Sequence, residues 1–156
     1  MDKKRILVAP LNWGLGHATR CIPVIRALKE QNFVPVIASD GSALHLLQKE
    51  FPELEHYLLP SYSIEYSKFA FLLKFKLLSN TPHILRTISR ERKCTEDLIK
   101  TKNISGIISD NRWGVRSRLV PSVFITHQIQ VLSGLTTLLS SKIQQWHIKK
   151  FDECWV

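Results

Sequence analysis

Long apolar runs are missing from this 156-residue chain. None approaches the ~20 consecutive apolar residues that a transmembrane helix needs, so no spanning helix is expected. Cysteine is scarce: Cys21, Cys94 and Cys154 are far apart and odd in number. That spacing offers neither a disulfide framework nor a metal site and fits a reducing cytoplasm. The basic start Met1-Asp2-Lys3-Lys4-Arg5 leads into apolar residues, but these stop at Pro10 with no small-residue cleavage site behind them, so no signal peptide is expected. Acids are outnumbered, 13 against 22 lysines and arginines. No helix-turn-helix, zinc knuckle or ribonucleoprotein aromatic motif accompanies that excess, so nucleic acid is not the expected partner. Repeats and low-complexity segments are absent too.

What is present is ordinary for a globular domain with a real core: 44% hydrophobic and 22% charged residues. The net charge of +9 is unevenly distributed. Seven cations (Lys68, Lys74, Lys76, Arg86, Arg90, Arg92, Lys93) and one acid, Glu91, lie between Lys68 and Lys93. Between Asp40 and Glu65 there is one cation, Lys49, against five acids. Such polarity suggests an anionic partner near one face. The stretch Lys68 to Leu78 mixes Phe and Leu with lysines. It reads either as a core helix whose lysine stems lie over apolar surface or, with the cationic flank to Lys93, as a surface that docks on an anionic bilayer.

Strands and helices alternate along the sequence. The apolar run at Arg5–Ala9 is a first strand, and a helix beginning near Thr19 carries Cys21, Ile22, Ile25 and Leu28 at three- and four-residue spacing. Pro23 then belongs in or just after the first turn, where a missing N–H costs least. A second strand is expected at 33–38. Ser39 or Asp40 is expected to cap a helix carrying Leu44, Leu47 and Phe51. A third strand follows at 55–59. A long helical stretch should break at Pro82. Strands at 104–109 and 122–126 and a helix at 133–149 complete the set. The ending Phe151-Asp152-Glu153-Cys154-Trp155-Val156 reads as a turn into another strand, and the chain is expected to be a fragment whose continuation is a second domain. Strands separated by helices predict an α/β fold with a doubly wound, parallel, Rossmann-like sheet. Its rim should hold Asn12 to His17, Asp110 to Arg112, and His127 with Gln128.

The richest segment is Pro10-Leu11-Asn12-Trp13-Gly14-Leu15-Gly16-His17, directly behind the first strand. Glycines between a strand and a helix make a phosphate-sized loop. Gly14 and Gly16 let backbone N–H groups approach an anion without a Cβ in the way. The third glycine of a dinucleotide fingerprint is missing, so no nicotinamide cofactor is expected. His17, at the mouth of the sheet, is a side chain that takes a proton near neutral pH.

The motif Gly14-Leu15-Gly16-His17-Ala18-Thr19-Arg20, then Pro23, the segment Ile107 to Gly114 (Ile-Ile-Ser-Asp-Asn-Arg-Trp-Gly) and the segment Val123 to Gln128 resemble the N-terminal half of GT-B glycosyltransferases. The nearest branch is similar to the family 28-type bacterial proteins, relatives of the enzyme that adds N-acetylglucosamine to the lipid-linked peptidoglycan precursor. The resemblance spans essentially the whole chain, and the Gly-Leu-Gly-His motif and the Ser-Asp-Asn-Arg segment carry it together. It implies two Rossmann-like domains facing a cleft, with residues 1–156 forming the acceptor-binding half. The nucleotide-sugar domain, usually holding a uridine diphosphate sugar, is not among these residues, so the chain alone is expected to be close to inactive.

Under that resemblance, inverting transfer needs a base for the acceptor hydroxyl and stabilisation of the departing diphosphate. His17 fits the base, and Asp110 fits the partner that orients its ring. A helix N-terminus keeps the imidazole uncharged, whereas Asp110 stabilises its charged form; the two oppose each other. Asn12, Trp13, Gly14, Leu15 and Gly16 frame the acceptor and the donor phosphates. Arg20 and Arg112 are candidate phosphate contacts. Asn111, Arg112, His127 and Gln128 are acceptor-binding candidates. Each has a plainer reading: a loop histidine that only bonds backbone, an aspartate that caps a turn with Asn111, solvated arginines. No metal or cofactor is expected, since the nucleotide sugar is a substrate. The expected location is the cytoplasm or the inner face of the membrane. Alternatives are a sugar-nucleotide epimerase of the same architecture and a non-catalytic anion- or sugar-binding module.

Overall fold

The computed structural model describes residues 3–62, 70–127 and 137–156, with side chains described outside 70–81 and 137–140. Among these residues the chain runs β1 (Arg5–Pro10), α1 (Gly16–Glu30), β2 (Val34–Ser39), α2 (Gly41–Glu50), β3 (Glu55–Leu58), α3 (Ala70–Lys102), β4 (Ile104–Asp110), β5 (Ser122–Ile125), α4 (Thr137–Ile148) and β6 (Glu153–Trp155). One parallel sheet forms in the order β3-β2-β1-β4-β5-β6. The expected Rossmann-like α/β class is therefore the observed one. The closing segment does become a strand, β6, beside β5.

Helices cover both faces of the sheet, and this is why its central strands are apolar at consecutive positions rather than at alternate ones. Val8, Ile37, Ile108 and Ile125 pack under α1 and α2 with Ala18, Cys21, Ile25, Leu44 and Leu47. Leu7, Ala9, Val36, Ala38 and Ile107 point to the other face and meet Ile99 and Val115. The register decides the rest. Pro10 pairs with Asp110, and Asp110 with Ile125, so β1, β4 and β5 end level with one another. The chain lays down β2 and β3 on one side of β1 and β4 to β6 on the other. The crevice where that direction reverses, between β1 and β4, is where such sheets take ligands.

Several local expectations are corrected. Helix α1 begins at Gly16, not Thr19, so His17 lies in its first turn, and Pro23 sits inside the helix about two turns in. Pro23 is exposed; the helix gives up one N–H bond there while Cys21 and Ile25 keep its inner face packed. Pro82 likewise lies within the single 33-residue helix α3 rather than dividing it. It too is exposed, and the following turns are held by the buried stripe Thr87, Glu91, Thr95 and Ile99, one residue every fourth position.

Asp40 occupies the N-cap of α2 but its side chain makes no capping bond. Asn12 does so instead, from the loop after β1: its Oδ1 accepts from Ala43 N at 3.2 Å and from Ser42 Oγ at 2.9 Å. Its Nδ2 donates to Asp40 Oδ2 at 3.2 Å. Gly41 has φ +51°, and a Cβ there would meet the Asn12 amide. Loop and helix thus require each other's residue types. The expected helix start at Ser133 falls outside the described residues; α4 is described from Thr137. No helix among the described residues is long and apolar enough to cross a membrane.

Helix α4 docks through His147, whose ring stacks on Trp113 with centroids 4.5 Å apart. Trp113 Nε1 also donates to Gln144 Oε1 at 3.2 Å. Burial, reinforced by the Lys150 and Arg116 cations, lowers the His147 pKa from 6.5 to about 4. The folded chain therefore binds this proton less tightly than the unfolded chain does. Stability from this group is complete above pH ~6.5 and is lost as the pH falls towards 4. Urea unfolding should show a loss on the order of 2 kcal/mol across that interval, and His147→Gln should remove that part of the slope. An unchanged slope in the variant would show that other groups cause it.

Candidate functional site

The rim of the sheet brings together residues far apart in sequence. Asp110, at the end of β4, is wholly buried. Its Oδ1 lies 3.0 Å from His17 Nδ1. Arg20, one turn further along α1, donates from Nε to Oδ2 at 3.1 Å and from Nη2 to Oδ1, a two-pronged ion pair. Cys21 Sγ donates to Oδ2 at 3.8 Å. Burial pushes the Cys21 thiol far up, with the Asp110 charge adding to it, so the sulfur keeps its proton and acts as a donor.

Arg20 reaches two imidazoles as well. Nη2 lies 3.0 Å from His17 Nδ1, and Nη1 lies 3.3 Å from His127 Nδ1. The two histidine rings are 6.1 Å apart between centroids. Trp13, Gly16, His17, Arg20 and His127 line a cavity of about 350 Å³. At Gly14 and Gly16 the space that a Cβ would occupy is open.

A neutral imidazole has one N–H and one lone pair. His17 Nδ1 cannot both donate to Asp110 and accept from Arg20. A carboxylate only accepts, and a guanidinium only donates. Nδ1–H toward Asp110 satisfies the buried oxygen and leaves the Nε2 lone pair for a ligand, the arrangement a general base requires.

Of the residues expected at the rim, His17, Asp110, Arg20, Trp13, Gly16 and His127 come together. Leu15 is exposed beside them as the N-cap of α1. Asn12 faces the other way, into α2. Gln128 lies outside the described residues. Asn111 has φ +56° and its N–H donates to Ile125 O at 3.2 Å. It turns the chain rather than presenting itself to the cavity.

Arg112 corrects an expectation outright. A candidate for a phosphate or acceptor contact at the rim, it is instead 0% exposed. Beyond the turn at Asn111 its side chain runs under the rim. Nε donates to Pro10 O at 2.9 Å, and Nη1 to Pro60 O at 3.2 Å and Glu91 Oε1 at 2.6 Å. Nη2 pairs with Asp40. Tyr62 donates its hydroxyl to Glu91, and Gly114 N donates to Glu91 Oε2 at 3.1 Å. Burial pushes the Glu91 carboxyl up while Arg112 draws it down, with burial the larger effect. The role of Glu91 was not foreseen. The signal was its position as the one acid among seven cations.

Fold and rim together define a Rossmann-like domain of the kind that forms one half of the GT-B architecture. Among solved structures the chain is similar to MurG of Acinetobacter baumannii, with a TM-score of 0.53 and 14% identity over 91% of this chain and 39% of that one. The chain thus spans about two fifths of the length of the protein it matches. No family model matches the sequence, and no curated protein does.

Proposed function

We propose that this chain is the acceptor-binding half of an inverting glycosyltransferase. It would act with a second domain that binds a nucleotide sugar, taken to be a uridine diphosphate sugar. The observation that supports this reading best is the His17–Asp110 contact of 3.0 Å at the carboxyl ends of the strands. His17 Nε2 takes the proton of an acceptor hydroxyl while that oxygen bonds to the anomeric carbon. The bond from that carbon to the diphosphate breaks, and the diphosphate leaves with the electron pair. Asp110 steadies the imidazolium that forms. Gly14, Gly16 and the N-terminus of α1 offer N–H groups to the departing phosphates. Arg20 and His127 line the same cavity.

Product analysis tests this reading. The complete protein, given a uridine diphosphate sugar and a hydroxyl acceptor, should release the diphosphate and form a glycoside of inverted configuration. Interconversion of the donor sugar without any acceptor would identify an epimerase instead. Ligand binding with no turnover would leave a binding module.

A lipid-linked acceptor would place the protein against the inner face of a membrane. Arg86, Arg90, Lys93 and Leu85 support this by lying exposed along α3; side chains of the preceding segment, from Lys68 to Leu78, are outside the described ones. Co-sedimentation with anionic vesicles and not with neutral ones is expected. Equal failure to bind both would remove the membrane from the proposal.

A further inference from the structure

The constellation at Asp110 contains more than a base and its partner, because Arg20 contacts Asp110, His17 and His127 together. We propose that Arg20 is a positioning residue that, by compensating Asp110, holds His17 in its neutral form, while Asp110 takes the Nδ1 proton. This rests on the reading of His17 as the base, and it concerns what makes that base usable.

Asp110 is fully buried, and a buried carboxylate requires a compensating cation. The described groups around His17 are Asp110 from β4, Arg20 and Cys21 from α1, His127 from the segment after β5, and the backbone N–H groups of the first turn of α1. Cys21 stays protonated and carries no charge. Without Arg20, the cation nearest at hand for Asp110 would be His17 itself in its protonated form. An imidazolium paired with a buried aspartate has no lone pair to offer an acceptor hydroxyl.

Arg20 removes that requirement in two ways. Its guanidinium, always charged, compensates Asp110 through two prongs, Nε to Oδ2 at 3.1 Å and Nη2 to Oδ1. Nη2 also lies 3.0 Å from His17 Nδ1, so a positive ring would face a positive neighbour. Asp110 is then free to accept the Nδ1 proton without drawing a second proton onto Nε2. The same fork reaches His127 at 3.3 Å.

The test is a pH titration of the His17 ring in the intact chain by NMR, read without substrate. In the parent, the ring nitrogen shifts should show Nε2 unprotonated at neutral pH. In Arg20→Gln the midpoint should rise by about 1 pH unit or more, since a unit charge at this range moves a neighbouring group by one to three. Arg20→Lys keeps the charge and should stay close to the parent. A midpoint that is unchanged or falls in Arg20→Gln, or an equal rise in both variants, overturns the proposal, as does an Nε2-protonated ring in the parent. Arg20 is partly exposed on α1, so the variants should fold, and dispersed amide spectra check it. Because turnover is not measured, a failure here is distinguishable from a failure of the glycosyltransferase reading.

Discussion

If the proposed transfer is right, His17→Ala should lower turnover of the complete protein by about two to four orders of magnitude, the usual share of a positioned general base. The cavity walls formed by Trp13, Arg20 and His127 remain, so KM should change far less than kcat. Asp110→Asn should cost less than His17→Ala, because the base survives but loses the acceptor that sets its tautomer. Its amide presents either an acceptor or a donor to Nδ1, and the Arg20 guanidinium competes for the oxygen. Steady-state rates on the two variants check both statements. Unchanged kcat in His17→Ala would remove His17 from the chemistry and leave the rim as a binding surface.

Arg112→Met should destabilise the chain by about 3–5 kcal/mol. Domains of this size are stable by about 5–15 kcal/mol, so the loss is a large part of the whole. The reason is the company Arg112 keeps. Removing it leaves Asp40 and Glu91 buried without a cation and takes a donor from the carbonyl oxygens of Pro60 and Pro10, the latter keeping the Ser39 hydroxyl at 2.8 Å. Urea midpoints measure the effect. A loss below about 1 kcal/mol would show that water or rearrangement compensates the cluster. The network also ties together the ends of β1 and β3, the start of α2 and the middle of α3, at the end of the strand whose loop leads into α1 and His17. Partial loss of this platform should therefore weaken any activity before the chain unfolds.

These two arginines show how far the residues could be read in order. Arg20 and Arg112 both lie within the motif segments, and both are candidate phosphate contacts by sequence. Nothing local separates them. Arg112 goes inward because the chain reverses at Asn111 with φ +56° and because Glu91 waits on α3, 21 positions away. Arg20 stays at the rim because α1 starts at Gly16, one turn before it. Asn12 was also expected to face the ligand. Its position four residues ahead of α1 gave no hint that it would cap α2, a helix beginning near residue 41. The prolines misled in the same way: Pro23 and Pro82 are strong local signals for a helix boundary, and tertiary packing on the opposite faces of α1 and α3 overrode both.

Other features needed no third dimension. A strand buried on both faces must be apolar at consecutive positions, so Leu7-Val8-Ala9 and Ile107-Ile108 declared themselves, and their alternation with amphipathic helices dictated a parallel sheet. The glycines and the histidine behind β1 marked the mouth of that sheet. Those properties depend on neighbours a few residues apart, and short-range sterics and periodicity encode them. The pairing of His17 with Asp110 spans 93 positions. The register that sets Pro10 beside Asp110, and Asp110 beside Ile125, decided which charges meet at the rim and which are sealed beneath it, because only the assembled sheet fixes the distance between side chains so far apart in the chain.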